Sequence, residues 1–299
     1  MADDLWILSQ ASPTLKDRSS DDNAYYTRSA IANGWRVHHL PFRLDDGYDI
    51  AETFRELPRQ PTLRPAAWVG LVPSQTLYER VYAEALGKNL QLLNTPEEHQ
   101  RAFELHLAYP YLEGLTPRTV AVSDAARCRD ALAELSLPVF VKGSLASRKE
   151  SGWSSCIARS EGELVERVSA LLADQGASRG WAMVRELAPL RRGHVPAKDF
   201  PIGREYRVFL YRGQVLSFGF YWLYSFLFPE LTADEERAML EVAVEGARRL
   251  GVPYLSLDVG QLEDGRFLIV EPGDPQFSGP SLMPVDRIWR RLRELLTAG

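Results

Sequence analysis

The first third of the chain alternates short apolar runs with segments of helical spacing. Four apolar runs have the length of β-strands: residues 5–8, 35–40, 66–70 and 90–93. Two segments between them have helical spacing and stop at a glycine, as helices often do: 19–33 and 75–86. Strands that alternate with helices are typical of a parallel sheet covered by helices. We therefore predict an α/β N-terminal domain over residues 1–94.

The rest of the chain has a different order, in which many strands come in neighbouring pairs. Runs with the length of strands lie at 119–122, 139–142, 154–158, 181–184, 205–211, 214–221, 254–262 and 267–270. Segments with helical spacing lie at 123–135, 161–173, 232–250 and 285–296. Residues 185–203 are rich in Arg, Pro and Gly and predict a long connection. This pattern predicts an α+β region built on antiparallel sheets.

Composition narrows the class of protein. The chain has 299 residues and a formal net charge of −5, which argues against a general nucleic-acid binder. Its two cysteines, Cys128 and Cys156, lack metal-ligand spacing and suggest reduced thiols in a cytosolic protein. The N-terminus does not resemble a signal peptide, and no apolar run has the length of a membrane span. We expect a cytoplasmic protein without nucleic-acid or membrane partners, and a homodimer stays open.

Residues 254–279 carry the strongest chemical signal, because they predict a hairpin that turns at Asp264-Gly265. A type I′ turn at this dipeptide sets a register in which Asp258 and Glu271 face each other. Opposed carboxylates repel, and both interrupt apolar strands, so a cation between them is expected. Mg²⁺ suits one or two carboxylates together with phosphate oxygens. A solvated acidic pair is the alternative.

The segment after Glu271 contains two prolines, Pro272 and Pro275, which predict that the chain turns away at once. Asp274 lies between them. It either adds a third oxygen ligand to the metal or only begins a turn, and the sequence favours neither.

Cationic side chains stand at two places that suit a polyphosphate. Lys142 ends an apolar strand and precedes Gly-Ser, and the small-residue loop 143–153 that follows carries Arg148 and Lys149. Exposed backbone N–H groups beside a cation can hold phosphates. A surface lysine followed by a flexible loop is the alternative.

Two further strands carry candidate binding residues. Arg185 and Glu186 interrupt an apolar strand that could offer a slot for adenine, with Glu186 accepting from ribose; an exposed ion pair is the alternative. Glu205 and Arg207 share one face of a strand, and the planar fork of Arg207 suits phosphate, although a cross-strand ion pair explains it equally. The aromatic run 218–228 is predicted to be core or a subunit contact.

In this order the signals resemble the ATP-grasp superfamily across nearly the whole chain. The segments that carry the resemblance are LPVFVKGS, MVRELAPL, PIGREYRVFLYRGQ and LDVGQLEDGRFLIVEPGDPQFSG. The most similar group comprises small bacterial single-chain members of mostly unknown substrate. The resemblance implies two lobes, at 95–184 and 185–299, whose antiparallel sheets enclose a nucleotide cleft.

The resemblance also implies a role for each candidate residue. Lys142 and the loop from Ser144 to Gly152 would meet the phosphates of ATP, and Arg185, Glu186 and Leu187 would hold adenine and ribose. Arg207 and Lys149 would be the catalytic cations and Glu205 a further nucleotide-binding residue. The predicted ligands of Mg²⁺ are three: Asp258, Glu271 and Asp274.

The activity that the resemblance implies is an ATP- and Mg²⁺-dependent ligase that joins small-molecule or peptide carboxylates to amines or thiols. Two positions depart from the family pattern. Gly273 stands where an asparagine is common, and no lysine lies between Lys88 and Lys142. A nucleotide-binding module without catalysis, and a phosphotransferase acting on a hydroxyl, therefore remain alternatives.

Overall fold

The structure is a computed structural model that describes residues 5–11, 18–149, 152–194, 201–222 and 224–298. The N-terminal part is a parallel four-stranded sheet of order β2-β1-β3-β4 with three helices. The strands are β1 Trp6–Ser9, β2 Arg36–His39, β3 Arg64–Val69 and β4 Leu90–Leu92; the helices are α1 Arg18–Ala32, α2 Ile50–Thr53 and α3 Gln75–Gly87. The predicted α/β layer is thus confirmed.

The order of this sheet creates a crevice at the carboxyl ends of two strands. From the central strand β1 the chain passes through α1 to β2 on one side, whereas β3 lies on the other side of β1. Connections that leave neighbouring strands in opposite directions define a switch point, and α/β sheets bind ligands there.

The middle part is an antiparallel sheet of order β5-β8-β6-β7. Its strands are β5 Thr119–Val122, β6 Val139–Gly143, β7 Ile157–Ala158 and β8 Ala182–Glu186; the helices are α4 Pro96–Phe103, α5 Leu105–Leu112, α6 Glu161–Ala173 and α7 Gln175–Ser178. The predicted strand 154–158 is mostly wrong, because Trp153–Cys156 is a 3₁₀ helix. The predicted helix 123–135 is a 3₁₀ helix over Ala125–Ala133.

The last part is an antiparallel sheet of order β12-β11-β13-β14, followed in the chain by a C-terminal helix. Its elements are β11 Glu205–Tyr211, β12 Gln214–Phe220, α8 Ala233–Leu250, β13 Tyr254–Gln261, β14 Phe267–Gly273 and α9 Val285–Thr297. The predicted connection 185–203 contains a short hairpin, β9 Arg192–Gly193 and β10 Ile202–Gly203, while residues 195–200 lie outside the described residues.

Alternation along β11 and β13 gives this sheet two different faces. Val208 and Leu257 pack with α8 in one buried cluster, whereas Arg207 and Asp258 project from the opposite face. Further along that opposite face, Phe209 packs in a second cluster with α9 and α1. The C-terminal helix therefore joins the N-terminal sheet to the last sheet beside the polar positions.

The β13–β14 turn differs from the predicted type I′ turn. Its loop has three residues, Glu263–Gly265, in which Gly265 alone has a positive φ of 91°. The register near the turn is therefore shifted by one residue, so that Gln261 pairs with Phe267. A bulge at Val270 removes this shift, and Asp258 still pairs with Glu271.

The prediction that the strand ends at Glu271 is also wrong. β14 continues through Pro272 and Gly273, which pair with Leu257 and Ser256. Proline is tolerated here because β14 is an edge strand, where a missing backbone N–H removes no ladder bond. The two residues after Glu271 consequently stay on the sheet.

Candidate functional site

An ion pair joins the middle sheet to the last sheet. Lys142 near the end of β6 approaches Glu271 on β14, with Nζ 2.5 Å from Oε1, and Lys142 is only 2% exposed. Burial lowers the pKa of Lys142, and Glu271 acts against this shift. The pKa of Glu271 is lowered: burial alone would raise it, but Lys142 outweighs that effect. Two residues predicted to share the site thus meet across the cleft.

A second ion pair lies on the neighbouring strands of the last sheet. Arg207 on β11 stands opposite Asp258 on β13, and its Nε and Nη2 donate to the two carboxylate oxygens at 2.8 and 2.9 Å. The third guanidinium nitrogen donates to the carbonyl of Gly279, and the ring of Tyr221 lies 4.7 Å from the guanidinium carbon. Burial alone would lower the pKa of Arg207, but Asp258 raises it.

Asp258 and Glu271 fit a hard divalent cation. They are directly opposed on one face of the sheet, both are carboxylates, and in this structure each is balanced by a protein cation. Mg²⁺ needs oxygen ligands and commonly takes one or two carboxylates together with phosphate oxygens. These two residues would hold such an ion beside a bound polyphosphate, with the Lys142–Glu271 pair opened.

Glu205 and Lys149 lie at the same cleft. Glu205 is 5% exposed and accepts a hydrogen bond from Trp222 Nε1 at 3.2 Å, while Lys149 Nζ lies 5.3 Å from the Trp222 ring. Burial raises the pKa of Glu205, and Lys149 counters that shift. The predicted cation of the loop is therefore within electrostatic reach of the cleft carboxylates.

Arg185 supports β14 rather than lying open to a base. Its guanidinium donates to the hydroxyls of Thr119 and Thr116 and, at 2.9 Å, to the carbonyl of Val270, the bulged residue before Glu271. Burial lowers the pKa of Arg185 to about 10. The bulge exposes the carbonyl that Arg185 binds, so this arginine positions Glu271.

The predicted ribose contact of Glu186 is not supported. Glu186 pairs with Val139 on β6 and thus shares its face with the packed core rather than with Lys142. Its carboxylate is exposed and lies 3.4 Å from Arg118 Nε. Leu187 follows β8 directly and is half-buried.

Ser144 does not offer its hydroxyl to the cleft as predicted. The side chain is fully buried, and its Oγ lies 2.8 Å from His106 Nδ1. Its backbone carbonyl accepts from Leu105 N–H. Ser144 therefore anchors α5 to the end of β6, and the loop prediction keeps only its later part, where residues 150–151 lie outside the described residues.

Asp274 is not brought to the carboxylate pair. One of its oxygens lies 3.0 Å from His99 Nδ1, and the two oxygens also accept from the backbone and side-chain N–H groups of Gln276. The structure thus favours the turn interpretation, and the prediction of a third metal ligand is a misassignment. In the parts of the chain that the structure describes, no group of three or more His, Cys, Asp or Glu could hold a metal.

Tyr221 and Trp222 are site residues that the sequence analysis assigned to the core. The run 218–228 is aromatic throughout, so composition alone gave no reason to separate them from Phe220, which is buried. The available signal was their position directly after β12, where they leave the strand next to Arg207 and Glu205.

Comparison with known proteins identifies the family. Residues 116–292, more than half of the chain, match the model of an ATP-grasp domain family, the third family of its clade, and the chain therefore belongs to that family. No curated protein matches the sequence. Membership confirms the predicted ATP-grasp fold and supports the predicted class, an ATP-dependent ligase.

Solved structures share the fold at low sequence identity. D-alanyl-alanine synthetase A from Vibrio cholerae superposes with a TM-score of 0.64 at 11% identity, over 100% of this chain and 98% of that chain. A D-alanine–D-alanine ligase from Bacillus anthracis complexed with ATP gives 0.64 at 13% identity, over 99% and 96%. The ATP-grasp ligase PsnB, complexed with a precursor peptide and AMPPNP, gives 0.56 at 15% identity, over 99% and 97%.

The helices described in the structure include none that is long and apolar enough to cross a membrane. Both cysteines are free and buried.

Proposed function

We propose that this protein is a ligase that uses ATP and Mg²⁺ to join a carboxylate to an amine or a thiol. The observation that carries the proposal is the meeting of Lys142, Arg207, Asp258 and Glu271 in one cleft between two antiparallel sheets. A family of ATP-grasp domains supplies the nucleotide, and the buried charges supply groups that can balance a triphosphate.

The residues of the cleft divide the work. Lys142 binds phosphate oxygens once Glu271 is released from it, and Arg207 faces the phosphoryl group that is transferred, with Lys149 closing from the loop. Mg²⁺, when bound by Asp258 and Glu271, neutralises charge on the phosphates. Phosphoryl transfer depends mainly on such positioning and charge balance, since the protein forms no covalent bond.

The chemistry needs two successive substitutions. A carboxylate oxygen of the acid attacks the γ-phosphorus, the bond to the β-phosphate oxygen breaks, and ADP leaves. The amine or thiol then attacks the carbonyl carbon of the acyl phosphate, inorganic phosphate leaves, and the nucleophile loses its proton. Arg207 and Lys142 balance the negative charge in the first step, and exclusion of water protects the acyl phosphate before the second.

The test is ADP release with panels of acids and amines, compared between wild type and the double variant Asp258→Asn, Glu271→Gln. We expect wild type to bind ATP more tightly with Mg²⁺ than with EDTA, and the double variant to lose this difference and its turnover. An unchanged Mg²⁺ effect in the double variant would remove the metal assignment.

A second candidate is a nucleotide-binding module without ligase chemistry. The pairing of both acidic residues with protein cations favours it, because the two charge pairs also stabilise a site that needs no metal. This candidate predicts thermal stabilisation by ATP and no ADP release with any acid and amine. A phosphorylated hydroxyl product would instead indicate a phosphotransferase.

A further inference from the structure

A cavity of about 150 Å³ lies where the N-terminal sheet meets the loop after β14. Three segments line it: Asp22 to Tyr26 of α1, Val69 to Val72 at the end of β3, and Pro275 to Gly279. The first two follow β1 and β3, so the cavity occupies the switch point of the parallel sheet. Ligands of α/β sheets bind at such crevices.

Two side chains in the cavity wall have polar atoms without a partner. Asn23 is 8% exposed and Tyr26 is 4% exposed, and within the described part of the chain Asn23 Nδ2 and Tyr26 Oη make no hydrogen bond. Buried polar groups are nearly always bonded, so two unpartnered donors in a cavity wall point to a ligand atom that accepts. A carboxylate or a carbonyl meets this requirement.

The cavity borders the candidate reaction centre. Gly279, in its wall, accepts the hydrogen bond from Arg207 Nη1, and Tyr26 lies within electrostatic range of the same arginine. An accepting group bound by Tyr26 would therefore lie on the Arg207 side of the cavity. A carboxylate that receives a phosphoryl group must stand on that side.

The other chemistry of the wall is acidic and apolar. Asp22 places Oδ2 3.6 Å from the point where a Cβ on Gly279 would stand, so its carboxylate reaches the same end of the loop. A carboxylate in the wall favours a ligand that also carries an ammonium group. Val69, Leu71 and Phe277 make the remaining wall apolar, and the volume admits only a short side chain.

We propose that this cavity binds the acid substrate as a short aliphatic amino acid, with its carboxylate at Asn23 and Tyr26 and its ammonium group toward Asp22. Naming this substrate rests on the proposed ligase function, whereas the binding site itself does not. The fit combines two buried donors, one acid and a small apolar space at a switch point.

The test is calorimetric titration of the whole chain with glycine, L-alanine and D-alanine, each compared with propionate and ethylamine. We expect at least one amino acid to bind ten-fold or more tightly than either analogue, because each analogue lacks one charged group. Binding of propionate and ethylamine at the strength of the amino acids, or no binding of any of the three, would overturn the proposal.

Variants locate the ligand in the cavity. Tyr26→Phe removes one hydroxyl and should weaken the amino acid about ten-fold, while Tyr82→Phe on α3, outside the cavity, should leave it unchanged. Asp22→Asn should reduce the preference for alanine over propionate. Where Tyr26→Phe does not fold, Asn23→Ala gives the same test. Unchanged binding in the folded cavity variants would contradict the assignment.

The measurement of ADP release separates this proposal from the proposed function. Amino-acid binding with these variant effects, but without ADP release for any acceptor, supports the cavity and removes the ligase. ADP release with other acids, together with no amino-acid binding, supports the ligase and removes the cavity assignment.

Discussion

Arg204 and Arg207 lie three residues apart, and both bind a carboxylate through two nitrogens, yet they lie on opposite faces of the same sheet. Arg204 donates to Glu235 at 2.7 and 3.2 Å and also to Gln261 and the carbonyl of Pro229. Arg207 donates to Asp258 and to one carbonyl, on the face that holds Glu271. The chemistry of the two pairs is the same, and the surroundings differ.

The surroundings decide what each pair can do. Arg204 is fully buried and ties β11 to the start of α8, so its partners are all fixed protein groups. Arg207 lies beside Lys142, Lys149 and Glu205, where several charges stand close without a fixed framework of backbone acceptors. We interpret the first pair as structural and the second as one that a charged ligand rearranges.

The largest expected effect is on Arg207. Arg207→Lys keeps the charge and loses the planar fork, so we expect kcat for ADP release to fall by about 10²-fold or more while ATP still binds. The measurement is steady-state ADP release together with nucleotide titration.

Arg204→Lys is the matched control, because it makes the same change three residues away. It should lower the free energy of unfolding by about 2 kcal/mol and leave kcat within about two-fold, since it loses hydrogen bonds without touching the cleft. Equal losses of kcat in both variants would refute the division into a structural and a reactive pair.

Much of the fold follows from the sequence for local reasons. Strand alternation, the spacing of helices and the capping residues depend on neighbours in the chain, which is why Thr95 and Thr232 begin helices with capping boxes. The pairing of Asp258 with Glu271 was predicted correctly, but from a wrong turn: the actual loop shifts the register, and the bulge at Val270 cancels the shift. A bulge depends on contacts such as the one from Arg185, which the local sequence does not reveal.

The errors at the candidate site share a different cause. Ser144, Glu186 and Asp274 have the chemistry that a nucleotide or metal site needs, and each is bonded to a residue distant in the chain. His106 lies 38 positions from Ser144, and His99 lies 175 positions from Asp274. Residue type predicts which chemistry is possible, whereas long-range packing decides which side chains remain available for it.

Asp274 offers the next test, because it contrasts with Asp258. Asp274→Asn should lower the free energy of unfolding by about 2 kcal/mol, since it disturbs a fully buried group bonded to His99 and Gln276. It should leave the Mg²⁺ dependence of ATP binding unchanged, as urea denaturation and nucleotide titration would show. Asp258→Asn should reduce that dependence, and the reverse pattern would restore Asp274 as a ligand.

Lys142 tests whether the cleft ion pair competes with the ligands. Lys142→Gln should weaken ATP about ten-fold, because a charge-assisted bond to phosphate is lost. It should also strengthen Mn²⁺ binding in the absence of nucleotide, because Glu271 no longer has its cation. Calorimetry with each ligand alone measures both effects. A loss of Mn²⁺ binding would mean that the lysine helps to form the metal site instead of competing with it.

The smallest effect concerns the structural pair and acid. The hydrogen bonds from Arg204 lower the pKa of Glu235 to about 2. The pKa of an unfolded glutamate is about 4.3, so the stabilising contribution is fully present above that value and is lost as the pH falls from about 4.3 toward 2. Urea denaturation of wild type and Glu235→Gln should therefore differ by about 1 kcal/mol at pH 7 and converge near pH 2.

Glu245 provides the contrast within the same helix. It bonds to Arg248 and Arg249, but it lies at the surface of α8, where water competes for both charges. Glu245→Gln should therefore change the free energy of unfolding much less than Glu235→Gln at pH 7. Equal effects of the two substitutions would mean that burial of Arg204 adds nothing to its pair, and the distinction between the two faces of the sheet would then rest on Arg207 alone.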